Sequence, residues 1–125
     1  MIYFDTHAAI WLQRSESDWL SPSGQKALLI ETDVRISPIV VLEFQILFEN
    51  RKIRVDAETV VTDLAVGMGV RVCDLPLELI VRKAFEITWA NDPMDRLIVA
   101  HALANNAPLL TRDRLILRRY ARAFC

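Results

Sequence analysis

Cysteine, glycine and any excess of one charge are all scarce in this chain. It has two cysteines, Cys73 and Cys125, far apart and without a CxxC pair, which argues against a disulfide framework or a zinc site of ordinary spacing. Three glycines and five prolines among 125 residues leave no linker, repeat or low-complexity stretch, so residues 1–125 read as a single domain. A formal net charge of -1 excludes the fold-wide positive field of a typical duplex-binding protein, and affinity for nucleic acid would have to come from a local site. No apolar run approaches the ~18 residues of a membrane span. The opening "MIYFDTHAAI" reaches an acid at Asp5, unlike a signal sequence. These absences lead us to expect no membrane partner and a cytoplasmic setting. What the chain does have is apolar residues, 53% of the total, enough to build a core without staples.

Those residues fall into alternating short runs. "IYF" at 2–4 is a β-branched and aromatic strand ending in Asp5, and "THAAIWLQR" follows as a helix with Thr6 as its cap. Ser21 and Ser37 each precede a proline, Pro22 and Pro38, the signature of a helix N-terminus. Between those two helices lies the strand "VRIS" at 34–37. "AETVVTDLAVGMG" reads as a helix stopped by Gly67 and Gly69, and "VRVCDL" at 70–75 as a third strand. Two further helices, "PLELIVRKAFEIT" and the one opened by "NDPMDRLIVAHA", lead to a fourth strand, "PLLT" at 108–111. "RDRLILRRY" closes with a helix and "ARAF" with a short last strand. Strands separated by helices predict an α/β fold, a mostly parallel sheet with helices on both faces.

In such sheets ligands sit beyond the carboxyl ends of the strands. Asp5 ends the first strand and Asp113 comes just after the fourth. Glu43 lies in "IVVLEFQILFE", where Gln45 and Glu49 share one polar stripe; two residues before Gln45, Glu43 is about 200 degrees round and points away from it. An ionised carboxylate on a dry face demands a partner. Asp92, before Pro93, has the structural job of a cap, which leaves Asp95 free to face the same cleft. Four carboxylates cannot share a small cleft without a cation or raised pKa values, and no Lys or Arg is obviously dedicated to them. Arg96, Arg112 and Arg114 adjoin the acids but are expected to point elsewhere. An all-oxygen set is hard and suits Mg²⁺ or Mn²⁺. Such ions typically activate a water against a phosphodiester.

"YFDTHAAIWL", "ISPIVVLEFQIL", "DPMDRLIVAHAL" and "PLLTRDRLI", in that order and spacing, resemble the PIN-domain family and within it the VapC-like toxins of bacterial toxin-antitoxin pairs. The resemblance covers nearly the whole chain. It implies a three-layer α/β/α sandwich and a Mg²⁺-dependent endoribonuclease that cleaves RNA. Asp5, Glu43, Asp95 and Asp113 match the acidic quartet that holds one or two metal ions and a nucleophilic water. Thr111 matches a hydroxyl position supporting that pocket. A cognate small antitoxin protein and a homodimer are implied as partners. Met94, where many relatives carry an aromatic residue, and the "ARAFC" ending depart from the pattern; these departures bear on local packing and on the dimer or partner surface, not on the acids.

Other residues have bland readings beside functional ones. The basic runs Arg112, Arg114, Arg118, Arg119, Arg122 and Arg51, Lys52, Arg54 suit either a solvated face or an RNA path. His7 and His101 read as surface or packed histidines before acid-base groups, and Trp11, at helical spacing from His7, as core before base-stacking. Trp19 and Trp89 could stack bases. Among rival functions, a phosphatase of the haloacid dehalogenase kind needs a second Asp where "DTH" has His7, and a receiver domain leaves Glu43 unexplained. A catalytically inactive PIN-like protein-binding module is the remaining alternative, and four mutually repelling carboxylates argue against it.

Overall fold

Ile2, Tyr3 and Phe4 are all buried, a pattern that only the middle of a sheet covered on both faces allows. The computed structural model, which describes residues 1–125, has this strand, β1 (Ile2–Phe4), at the centre of five parallel strands. The others are β2 (Val34–Ile36), β3 (Arg71–Val72), β4 (Leu109–Leu110) and β5 (Ala123–Phe124), in spatial order β3-β2-β1-β4-β5. On β1, Phe4 lies level with Ile36 of β2 on one side and Leu110 of β4 on the other. The edge strand β3 is exposed. Every strand expected from the sequence is present, most of them shorter than the apolar run that announced it.

Seven helices connect and cover the strands: α1 (Thr6–Gln13), α2 (Pro22–Ile30), α3 (Pro38–Glu49), α4 (Ala57–Met68), α5 (Leu77–Ala84), α6 (Pro93–Ala104) and α7 (Arg114–Arg119). The chain steps outward from β1 to β2 to β3, then returns across the sheet to β4 and β5. Right-handed crossovers therefore send the outward and the returning helices to opposite faces, which makes an α/β/α sandwich. In keeping with this, α1 packs on α3 and α4, while α5 packs on α6.

The caps follow the sequence with two corrections, at Thr6 and at Gly67. Ser21, Ser37 and Asp92 cap α2, α3 and α6, each with proline at the start of the helix. α1, however, is capped by Asp5, whose side chain accepts from the Ala8 N–H, and not by Thr6. Thr6 is the first helical residue and its hydroxyl serves another partner. Gly69 ends α4 in the left-handed conformation (φ 68), whereas Gly67 lies inside the helix.

The core runs through both sheet faces and includes Phe44 of α3, Leu64 of α4, Ile80 of α5 and Val99 of α6, all essentially inaccessible to water. Each such side chain contributes roughly 1.5–3 kcal/mol relative to exposure. No helix is long and apolar enough to cross a membrane.

Candidate functional site

Where the chain reverses direction across the sheet, the carboxyl ends of β1 and β4 lie side by side and their outgoing helices diverge, leaving a crevice. Asp5 leaves β1 at this point, and Thr111 and Asp113 leave β4. The cleft measures ≈ 330 Å³ and its walls include Asp5, Glu43, Asp95 and Asp113. All four acids singled out from the sequence thus line one cavity. They come from the β1 end, α3, α6 and the α7 cap.

Each acid is held differently. Asp5 is buried; its Oδ1 accepts from the Ala8 N–H at 2.8 Å and its Oδ2 accepts from the Thr111 hydroxyl. Asp113 caps α7, its Oδ1 accepting from the Ile116 N–H at 3.0 Å, and its own N–H donates to Thr111 Oγ1 at 2.9 Å. Glu43, half-buried on α3, accepts a short 2.5 Å hydrogen bond from the Thr6 hydroxyl. Asp95 is half-buried. No hydrogen bond reaches either of its carboxylate oxygens, although its backbone N–H is held by the Asp92 cap. None of the four forms a salt bridge; the ion pairs of the molecule lie elsewhere.

The electrostatics follow from that geometry. Burial pushes the Asp95 carboxyl up to about 6, with the negative charges of Asp92, Glu43, Asp113 and Asp5 adding to the effect. Asp5 is also raised, chiefly by burial, while hydrogen bonds from Thr111 and Ala8 and the proximity of His7 work the other way. Four acids share the cleft with one guanidinium, Arg112, that forms no salt bridge with any of them, and the surplus of negative charge favours a cation.

Chemically, the donor set fits a hard dication: every candidate ligand is a carboxylate oxygen. No three of the acids converge into a closed ligand cage. A dication here would therefore keep several waters and take only one or two carboxylates directly, as Mg²⁺ usually does. The free oxygens of Asp95, Glu43 and Asp113 are the donors left after local hydrogen bonding.

The structure also sorts the remaining candidates. Thr111 is fully buried and supports both Asp5 and Asp113, as the resemblance implied. Thr6, read from the sequence only as a cap, orients Glu43; nothing local in "DTHA" signals a partner 37 residues away. His101 is packed: it is 1% exposed, 2.9 Å from Ser37 Oγ, and burial lowers its pKa. Trp89 packs against the core. Trp11 does not behave as core. It is half-buried and lines the cleft with His7, their rings 5.8 Å apart. Arg112, expected to point away, also lines the cleft, its guanidinium 5.6 Å from the Trp11 ring centre. The cation-π contact with Trp11 and the negative charge of the four acids on the same walls both draw the guanidinium there. Arg96 does turn away, donating to the Ala84 carbonyl at 2.9 Å. On α3 the expected polar stripe is only partial. Gln45 is half-buried and accepts from the Ala57 N–H at 3.3 Å, while Leu42 and Ile46 face solvent.

Comparison with known proteins agrees with the geometry. The family model described as "PIN domain" matches residues 2–123. Among solved structures, VapBC2 from Rickettsia felis bound to a DNA fragment from its promoter superimposes with a TM-score of 0.66 at 21% identity, covering 99% of this chain and 96% of that one. A toxin-antitoxin complex from Klebsiella pneumoniae gives 0.66 at 16% identity, covering 100% and 97%. DNA-bound VapBC from Salmonella typhimurium gives 0.64 at 16%, covering 98% and 94%. At these identities the likeness concerns the fold. No curated protein matches the chain in sequence.

Proposed function

The chain belongs to the PIN domain family, and from that premise we propose that it is a divalent-metal-dependent endoribonuclease, the toxin of a pair whose other member is a small antitoxin protein. The observation that carries this reading is the cleft itself. Asp5, Glu43, Asp95 and Asp113 arrive from four separate elements at the point where the sheet reverses, and no basic side chain is paired with any of them. Arg112 on the same walls offsets only part of that charge, and the remaining repulsion raises the energy of the metal-free protein in a way that an entering cation relieves.

One or two of Asp95, Glu43 and Asp113 would hold Mg²⁺ or Mn²⁺ directly through free oxygens and the others through its bound waters, with Asp5 behind them. The bound ion would supply a water made nucleophilic near neutral pH and a positive charge opposite the phosphodiester. The chain's own contribution is orientation. Thr6 fixes Glu43, Thr111 fixes Asp5 and the start of α7, and Asp92 anchors the turn that presents Asp95. Such outer contacts decide how well acids can converge on an ion without collapsing onto each other.

The structural neighbours named as toxin-antitoxin or VapBC complexes support a protein antitoxin as partner, and RNA as substrate follows from the VapC-like resemblance. A second copy of the chain is part of the proposal. Leu77, Val81 and Phe85 form an exposed apolar row along α5 at helical spacing, which suits an interface more than open water.

Incubation of the purified protein with single-stranded RNA, with and without Mg²⁺, tests the reading. Cleavage that requires the metal and disappears in Asp95→Asn is expected. Cleavage that persists in chelator or in that variant would remove the acids from the chemistry. Tight antitoxin binding without any cleavage would make the chain a binding module.

A further inference from the structure

One face of α1 leads away from the acidic cleft. His7, Trp11 and Arg14 recur at intervals of four and three residues and so line up along the helix; His7 and Arg14 are exposed and Trp11 is half-buried. Trp11 stands 5.8 Å from the His7 ring and 5.1 Å from Trp19, with Arg112 over it. At the far end of this row, ~12 Å from the acids at 1.5 Å per helical residue, a second and larger cavity of ≈ 560 Å³ opens. Its walls carry Arg14, Arg51, Lys52 and Arg54 over apolar side chains such as Ile53 and Val60.

None of these four cations belongs to an ion pair of the molecule. Helix C-termini carry roughly half a negative charge each. Those of α1 and α3, together with Glu16 on the same wall, offset about half of the positive charge and leave the rest without a counterpart. The backbone supplies a second observation. α3 ends in a Schellman motif: Asn50 is the C-cap, Arg51 N–H donates to the Phe48 carbonyl at 3.0 Å and Lys52 N–H to that of Leu47 at 2.8 Å. The position following the cap, ordinarily glycine, is here Arg51 at φ 59. Ser15 (φ 60) and Asn106 (φ 48) hold the same place after α1 and α6, so the conformation is this chain's usual helix ending; what is particular to Arg51 is that it puts a cation on the wall of the cavity.

We propose that this cavity is a phosphate subsite for single-stranded RNA, gripping the backbone about three to four nucleotides from the cleft at the ~3.4 Å rise of a stacked strand. The inference rests on the nuclease reading and names how its substrate is held. A bound dication and Arg112 engage only the phosphate at the cleft, and the rest of a polyanion is repelled by four carboxylates unless cations beside them hold it. The aromatic row joining the two sites suits bases; an acidic peptide would use the cations and leave the row without a purpose.

The test uses a non-cleavable 2′-O-methyl oligonucleotide long enough to span both sites, its affinity followed by fluorescence anisotropy across a salt series with Mg²⁺ present. Lys52→Ala/Arg54→Ala should weaken binding at least about tenfold at low salt and flatten the dependence of log affinity on log salt by about 1.4, the contribution of two phosphate contacts on a single strand. Arg51→Gly should weaken binding while its melting temperature holds or rises, because glycine suits the left-handed position; a merely structural role would move stability instead. Hydrolysis of a trinucleotide, too short to reach the cavity, should be unchanged in all variants. Unaltered RNA affinity and salt slope would overturn the proposal, as would a loss of polyglutamate binding with RNA affinity intact. Should no RNA be cleaved at all while both variants still lose RNA affinity, the nuclease reading falls and the subsite is supported.

Discussion

Thr111 gives its hydroxyl proton to Oδ2 of Asp5, a carboxylate 106 positions earlier in the chain, and accepts the N–H of Asp113 at 2.9 Å. One buried side chain therefore sets two of the four acids and ties β1 to β4 across the crevice. Thr111→Val keeps the shape and removes the donor. Leaving a buried carboxylate short of a hydrogen bond should cost about 1–3 kcal/mol, read by denaturant unfolding. Loss of an orienting contact should lower metal-dependent cleavage ~10–100-fold. Thr111→Ser should restore both. Equal activity in Thr and Val forms would mean that Asp5 is positioned by the Ala8 N–H alone.

Asp95 provides a contrasting case, because it is crowded and unpartnered. Asp95→Asn removes a charge that four neighbouring carboxylates oppose, and the metal-free protein should become more stable by about 1 kcal/mol, roughly 4 °C in melting temperature. Asp5→Asn keeps the cap, since asparagine serves there as well as aspartate, but its amide cannot accept from both Ala8 and Thr111, and it should cost about 1 kcal/mol. Both variants should lose cleavage. Destabilisation by Asp95→Asn in differential scanning calorimetry would show that its charge has a favourable partner.

The same carboxyl makes stability depend on pH in the metal-free protein. Its pKa rises from the ordinary 3.8 to about 6 on folding, so between those values the native state holds a proton that the unfolded chain has released. The stabilisation is complete below about 3.8 and is lost as the pH rises through about 6. The nominal size is about 3 kcal/mol; with Asp95 only half-buried, solvent screening reduces it to about 1–2 kcal/mol. Saturating Mg²⁺ should abolish the dependence, because a dication favours the ionised form. Urea unfolding at a series of pH values, with and without the metal, measures both. A slope that Mg²⁺ leaves unchanged would place the ion away from Asp95.

Much of this site could be read along the chain because its acids obey local rules. Asp5 and Asp113 follow strands, Asp92 announces a helix start, and the wheel of α3 turns Glu43 away from Glu49. The strand order could not be read in the same way, since parallel pairing joins residues such as Phe4 and Leu110 that no local pattern connects. The Thr6 to Glu43 hydrogen bond was hidden for the same reason, and Thr6 passed for a cap because hydroxyls and carboxylates both serve there. Trp11 resembled core because periodicity reports which face is covered, and it cannot tell a packed wall from the wall of a cleft. Arg112 was missed because sequence neighbours on a helix or strand are expected to point elsewhere, whereas the cleft's acids and the Trp11 ring both attract a guanidinium.

The central claim is that Asp5, Glu43, Asp95 and Asp113 act together as a seat for a hard dication. Titration of the purified protein with Mn²⁺, following the free ion by electron paramagnetic resonance, measures it directly. We expect saturable binding that Mg²⁺ displaces and that Asp95→Asn weakens at least about tenfold while the fold is kept. Binding that is absent, or equally strong in the variant, would contradict the account.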